Sequence, residues 1–191
     1  PDIICIQEIE DNSAYNSLAT DLPAYSFIST NYSGTNLDMG IAIRNDCGDI
    51  SNSTTLFNSE YWAFAGRYPL KADISWHCGT AFLNLEVINV HFKAYDEGFS
   101  QRLEASELLS EYINSNLNVN IIVAGDFNDE IDDPQNSNSF WPLISNEDAY
   151  FVTTPIAGNS YYNSYPWGSY TGFIDHILIS SSLYDENENG S

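Results

Sequence analysis

The sequence predicts a layered fold of the α/β or α+β class, on three observations. Short runs rich in Ile, Val and aromatic residues recur along the chain, two stretches of helical periodicity interrupt them, and the strand runs fall into well-separated groups. A helical bundle or an all-β barrel would not mix the two periodicities in this way. With 191 residues, 43% hydrophobic and 14% aromatic, the chain can pack a core as one domain spanning 1–191, and no repeat or linker divides it.

The elements follow in order. Pro1-Asp2 feeds at once into an apolar strand from Ile3 to Gln7, and Ser13 to Leu22 reads as a helix. Strands follow at Tyr25 to Ser29, Gly40 to Arg44, Leu70 to Trp76 and Ala81 to His91, each rich in β-branched or aromatic residues. Ser100 to Asn114 is helical, with Leu103, Leu108, Leu109, Tyr112 and Ile113 on one face and Glu104, Glu107 and Glu111 left for solvent, a pattern made to pack on a sheet. Strands return at Asn120 to Ala124 and Phe173 to Ile179. Between them, Asn159 to Tyr170 is crowded with Tyr and Asn, with Pro166 and Gly168 as breakers, and reads as a long surface loop bordering a site.

Twenty-seven acidic side chains against five basic ones give a net charge of −22. Such a field repels polyanions and anionic membranes, which counts against a basic-groove binder but permits an enzyme that meets phosphate through a bound cation. The few cations, Arg44, Arg67, Lys71, Lys93 and Arg102, therefore each matter. Cys5, Cys47 and Cys78 have no metal-type spacing; Cys5 lies in an apolar run, whereas Cys47 and Cys78 lie near strand ends and either stay free or pair in an oxidising compartment. No run approaches about 18 apolar residues, so no membrane span is expected. The first residues also lack the features of a signal peptide, and the abrupt opening suggests a fragment.

Several strands share a design, an apolar run with a polar group at its tip. Asn120 to Ala124 runs into Gly125-Asp126-Phe127-Asn128-Asp129, where alternation would put Asp126 and Asn128 on one side and turn Phe127 towards packing. Alone, the pair could simply shape a turn. The first strand ends in Gln7-Glu8, and Glu8 is either a solvated strand end or a hard-oxygen ligand suited to magnesium. Val87 to His91 places Asn89 and His91 on one face, and the near-neutral pKa of imidazole suits proton transfer. In Phe173 to Ile179, Asp175 interrupts an apolar strand, which is expensive unless the carboxylate is paired.

Taken together, these pieces resemble the endonuclease/exonuclease/phosphatase superfamily. The matching segments are "PDIICIQEIED", "GRYPLKADI", "LEVINVHFKA" with "QRLEASELLSEYI", "IIVAGDFND" and "FIDHILISSSL", in the family's order and over nearly the whole chain. The resemblance implies a four-layer sandwich of two packed mixed sheets flanked by helices, as in the pancreatic deoxyribonuclease. It implies magnesium-dependent hydrolysis of phosphodiesters, with Mn2+ or Ca2+ able to substitute, and a nuclease acting on DNA or RNA, of a bacterial, exported type (secreted or periplasmic). On this resemblance Glu8 binds the metal, Arg67 contacts substrate phosphate or is an ordinary surface cation, and His91 bonds the scissile phosphate or helps protonate the leaving group. Asp126 and Asn128 position water, metal and phosphate, and Asp175 matches an aspartate whose partner is a histidine further along. His176, which alternation points away from Asp175, is read as structural.

Two departures stand out. The family's opening strand with an Asn and its closing "Ser-Asp-His" strand have no counterpart between Pro1 and Ser191, so the chain reads as truncated at both ends. Two other readings stay open: a sphingomyelinase-like or inositol-phosphate hydrolase on the same fold, and a catalytically incomplete domain. Tyr161, Tyr162, Tyr165, Trp167 and Tyr170 offer stacking surfaces for bases or pack on one another; no obligate protein partner is evident.

Overall fold

The computed structural model describes residues 1–31, 37–159, 161–167 and 170–184, without the side chains of 166, 167, 170 and 171. The chain opens with β1 (Ile3–Ile9), followed by α1 (Asn12–Asp21), whose start is capped by the Asp11 carboxylate accepting from the Ser13 and Ala14 N–H groups. β2 (Tyr25–Ser29) and β3 (Asp38–Arg44) complete a three-stranded sheet in the order β1-β3-β2. β3 is buried over nearly its whole length, whereas β1 pairs only with β3 and is half-buried.

The second sheet has six strands in the order β4-β5-β6-β7-β11-β8. They are β4 (Gly48–Thr55), β5 (Leu70–Cys78), β6 (Ala81–His91), β7 (Asn120–Asp126), β8 (Ala149–Phe151) and β11 (Asp175–Ser180). β6 and β7 run parallel, joined by the crossover helix α2 (Phe99–Ser115); the other pairings in this sheet are antiparallel. Two one-turn helices, α3 (Trp141–Ile144) and α4 (Thr154–Ala157), and the strands β9 (Tyr165–Trp167) and β10 (Tyr170–Gly172) fill the stretch before β11.

Two apolar layers hold this together. Between the sheets lie Met39, Ile41, Ile43, Leu70, Ala72, Ile74, Leu85 and Val87. On the outer face of the large sheet, α2 buries Ala105, Leu109 and Ile113 against Ile121, Val123 and an aromatic group of Phe64, Phe92, Phe127 and Phe140. Each fully buried large side chain contributes about 1.5–3 kcal/mol. Leu103, expected on this face, is only half-buried, and Arg102 and Ser106 are buried instead, Arg102 through its bonds to Asp129 and to the Lys93 and Tyr95 carbonyls.

The expected four-layer sandwich of two packed sheets flanked by helices is observed; the six-stranded sheet is mixed and the three-stranded one antiparallel. Some elements differ from expectation. β4 was not foreseen: its Ser- and Asn-rich sequence is exposed, and it lies at a sheet edge. The stretch read as one surface loop, Asn159 to Tyr170, instead contains β9, which pairs with β10 in a two-stranded sheet; Ser160, Gly168 and Ser169 and the side chains of Trp167 and Tyr170 lie outside the described residues. Cys47 and Cys78 are both free, Cys47 being buried and Cys78 exposed. Among the described residues no helix is long and apolar enough to cross a membrane.

Candidate active site

Strand register builds the centre of the site. His91 on β6 pairs with Asp126 on β7, which pairs in turn with Asp175 on β11, so an imidazole and two carboxylates lie side by side across three strands. Gly125 makes this row close-packed. Its φ of +142° and the 2.2 Å between a built Cβ and the Val90 carbonyl oxygen leave no room for a side chain.

Glu8 arrives from the other sheet. The β1–β3 register slips between Ile6 and Ile9, and Glu8 lies in this bulge with φ +56°, so it leaves the strand's alternation. Its Oε1 stands 3.7 Å from His91 Nε2, and Asp126 Oδ2 stands at the same distance. Asn89 holds the bulge in place: fully buried, it donates through Nδ2 to the Ile6 and Gly40 carbonyls at 2.9 and 2.8 Å, and its Oδ1 accepts from Gln7 Nε2 at 2.5 Å. Sequence reasoning placed Asn89 on the face of His91 but did not foresee that it bolts the two sheets together beneath Glu8.

Asn128 is near Asp126 but not by alternation. β7 ends at Asp126, and Asn128 adopts φ +56°, a conformation Asn tolerates better than most residues. Its N–H donates to Asp126 Oδ1 at 2.8 Å, so the pair does form an Asx turn, and its Nδ2 donates to the Phe92 carbonyl at 3.0 Å. That same carbonyl accepts from Arg67 Nη2 at 2.6 Å. Arg67 is no surface cation: it is buried, and its Nη1 contacts His91 Nε2 at 2.8 Å.

These contacts fix the electrostatics. An Arg67 N–H can only donate, so His91 Nε2 accepts, and the imidazole is neutral with its proton on Nδ1. Burial, and then the Arg67 charge, push the His91 pKa down to about 3, so the 3.7 Å approaches to Glu8 and Asp126 are not ion pairs. Asp126 moves the other way. Burial first, then the neighbouring charges of Asp175 and Glu8, push it up to about 7, against the Asn128 N–H and Arg67. Burial raises Asp175 as well, opposed by its bond to the Ser164 hydroxyl. His176 is structural as expected: buried, it contacts the Thr153 hydroxyl through Nδ1 and the Asp129 carbonyl through Nε2, both at 3.1 Å, among Phe127, Phe140, Phe151 and Phe173.

Beside this row the sheets part around a cavity of about 560 Å³ lined by Ile4, Cys5, Gln7, Ala124, Gly125 and Asp175. Glu8, Arg67, His91 and Asp126 lie outside its lining.

The donor set fits a hard divalent cation. Magnesium takes one or two carboxylates and leaves its other positions to water and substrate phosphate. Among the described residues, Glu8 and Asp126 flank one imidazole nitrogen with Arg67 as the sole cation in contact, and no three His, Cys, Asp or Glu form a closed cage.

Comparison with known proteins identifies the family and the fold. The model of the Endonuclease/Exonuclease/phosphatase family matches residues 1–187. The chain belongs to this family. Its members are hydrolases of phosphate esters that generally use divalent metals. Among solved structures, a humanised D. rerio TDP2 superposes with a TM-score of 0.73 at 16% identity, covering 96% of this chain and 72% of that one. A D. rerio TDP2 complexed with a single-strand DNA product gives 0.69 at 15%, covering 95% and 72%. A mannosyl-6-phosphatase of Bacteroides thetaiotaomicron gives 0.68 at 20%, covering 95% and 72%. No curated protein sequence matches the chain.

Proposed function

We propose that this member is a magnesium-dependent phosphodiesterase whose substrate is nucleic acid. The observation that carries the reading is the convergence of Glu8, Asp126 and Arg67 on His91, within 3.7 Å of its Nε2, at the joined ends of two sheets. Magnesium held by Glu8, with Asp126 beside it, would polarise the phosphoryl oxygens and offset developing charge.

The chain's own groups do the rest. Arg67 turns Nη1 from His91 to a phosphate oxygen, which is the stronger, charged acceptor. His91, released from that contact, can shift its single ring proton from Nδ1 to Nε2, staying neutral, and donate a hydrogen bond to the same phosphate. Asp126, ionised, accepts the proton of the attacking water, a task that its raised proton affinity suits and that Asp175 beside it sustains, while the P–O bond to the leaving oxygen breaks and that oxygen takes a proton from solvent. Asn128 spends one amide hydrogen on Phe92 and keeps the second for a phosphoryl oxygen. Fixed donors of this kind stabilise the transition state without reorganising.

Nucleic acid is the favoured substrate because a similar fold carries a DNA product, and because Tyr161 and Tyr162, 82% and 47% exposed, offer faces for bases. The test is hydrolysis of single-stranded DNA, RNA, bis(p-nitrophenyl) phosphate and mannose 6-phosphate by the full-length protein with magnesium. Cleavage of the nucleic acids and the diester is expected, with Asp126→Ala losing about 10²-fold or more. Wild-type rates in Asp126→Ala, or turnover of mannose 6-phosphate alone, would overturn the reading.

A further inference from the structure

The molecule holds five basic side chains against a charge of −22. Three of them are tied to carboxylates: Arg44 to Asp2 and Asp46, Lys71 to Asp73 and Glu86, Arg102 to Asp129. Arg67 serves the site. The fifth, Lys93, has no carboxylate within ion-pair distance among the described residues, and its ammonium lies 5.9 Å from the centre of the Tyr95 ring.

Lys93 follows Phe92, the residue whose carbonyl receives both Arg67 and Asn128, so its backbone is anchored to the site. Tyr95 is 74% exposed, yet its backbone is the least relaxed in this region, at φ +66° and ψ 167°, a combination natural only for glycine. Something must hold it there. Arg102 Nη1 donates to the carbonyls of both Lys93 and Tyr95, at 2.7 and 2.8 Å, while its other nitrogens grip Asp129 at 2.8 and 3.0 Å. Asp129 directly follows Asn128, so one buried guanidinium sets the Lys93–Tyr95 knuckle against the Asp126–Asn128 turn. Of the five described non-glycine residues with positive φ, three are Glu8, Tyr95 and Asn128. Strain that collects around one site, in a side chain otherwise given to solvent, points to a ligand contact.

We propose that Lys93 and Tyr95 form a subsite for the nucleotide adjoining the scissile phosphate, with the neighbouring phosphate on Lys93 and its base stacked on Tyr95. A base has a π-face whatever its identity, so the subsite recognises single-stranded nucleic acid without reading sequence. Asp96 and Glu97 on the same loop are exposed and keep the local field negative, so Lys93 works as a point contact and not as a basic patch. The inference rests on the nucleic-acid reading above and adds where the chain runs.

The experiment compares kcat/KM for a single-stranded oligonucleotide with that for bis(p-nitrophenyl) phosphate, both with magnesium, in the full-length protein and in Tyr95→Ala, Tyr95→Phe, Tyr95→Gly and Lys93→Met. Tyr95→Ala and Tyr95→Gly are expected to lower the oligonucleotide-to-diester ratio about tenfold, mainly through KM, while Tyr95→Phe keeps it. Tyr95→Gly should at the same time melt at a higher temperature, because glycine relaxes the strain; a merely structural Tyr95 would not pair rising stability with falling selectivity. Lys93→Met should shrink the salt dependence of oligonucleotide KM by about one counterion. An unchanged ratio in the Tyr95 variants together with an unchanged salt slope overturns the subsite alone. A wild-type protein that turns over the small diester but no oligonucleotide overturns the nucleic-acid reading, and the subsite with it.

Discussion

Arg67 and His91 meet at 2.8 Å, and each also carries a buried nitrogen without a hydrogen-bond partner, Arg67 Nε and His91 Nδ1, the two such side-chain atoms among the described residues. Buried unpaired donors cost about 1–3 kcal/mol each, and their concentration in one contacting pair marks a resting arrangement that substrate phosphate would rearrange. His91 should therefore stay neutral through the whole working range. The unfolded imidazole gains its proton near 6.5 and the folded one only near 3, so His91 withdraws stability as the pH falls from about 6.5 towards 3. Nitrogen-15 NMR of the metal-free protein should find its Nε2 unprotonated at pH 5. A resonance titrating near 6.5 would contradict the contact.

Asp126 gives the opposite sign. Its folded pKa of about 7 lies above the unfolded 3.8, so its contribution is fully present below 3.8 and is lost as the pH rises through about 7. Asp126→Asn keeps an acceptor for the Asn128 N–H and removes the charge. In metal-free protein the variant should be the more stable by about 4 kcal/mol above pH 7, at about 1.4 kcal/mol per unit of displacement, with the gap closing towards pH 4. Urea unfolding of both proteins across that range measures it, and a gap independent of pH would refute the charge crowding.

How much of this was legible in the sequence depends on whether a residue's role is local. The apolar runs of β1, β6 and β7 and their polar tips could be read directly, because burial of a strand demands such a pattern, whereas Asp175, expected to interrupt a strand from Phe173 to Ile179, is the first residue of β11. β4 could not: its exposed face and edge position relax that demand, so Asp49 to Thr55 carries no alternation to read. Alternation also misplaced Asn128, since the strand ends at Asp126 and an Asx turn, not the pleat, brings the amide round. Arg67 as a buried partner of His91, and Asn89 as a tie between sheets, are facts of long-range register that no local pattern contains.

Gly125 shows how tightly that register is set. An added methyl would stand 2.2 Å from the Val90 carbonyl and 2.9 Å from Asn89 Oδ1, on a backbone at φ +142°. Gly125→Ala should thus push β7 away from β6 and lose about 3 kcal/mol or more, from overpacking combined with backbone strain. It should also cut hydrolysis more than 10-fold, because Asp126 is the next residue and about 1 Å of misplacement is enough for a large loss. Full activity at unchanged stability would show that the strand spacing is softer than its geometry indicates.

Asn89 connects the bulge that carries Glu8 to the strand that carries His91. Asn89→Leu would remove the donors to Ile6 and Gly40 and the acceptor for Gln7 in a fully buried position, a loss of about 3 kcal/mol at roughly 1 kcal/mol per bond. Without those bonds nothing compels Glu8 to hold φ +56°, and a relaxed strand would swing its carboxylate away from Asp126. Binding of Mn2+, followed by electron paramagnetic resonance so that no turnover is needed, should then weaken about tenfold, in line with the loss of supporting contacts around a metal ligand. Glu8→Gln should weaken it at least as much while leaving stability almost intact, since the Glu8 side chain is 65% exposed. If Asn89→Leu unfolds more easily yet binds Mn2+ as wild type does, Asn89 only joins the sheets, and the bulge is set by β3 alone.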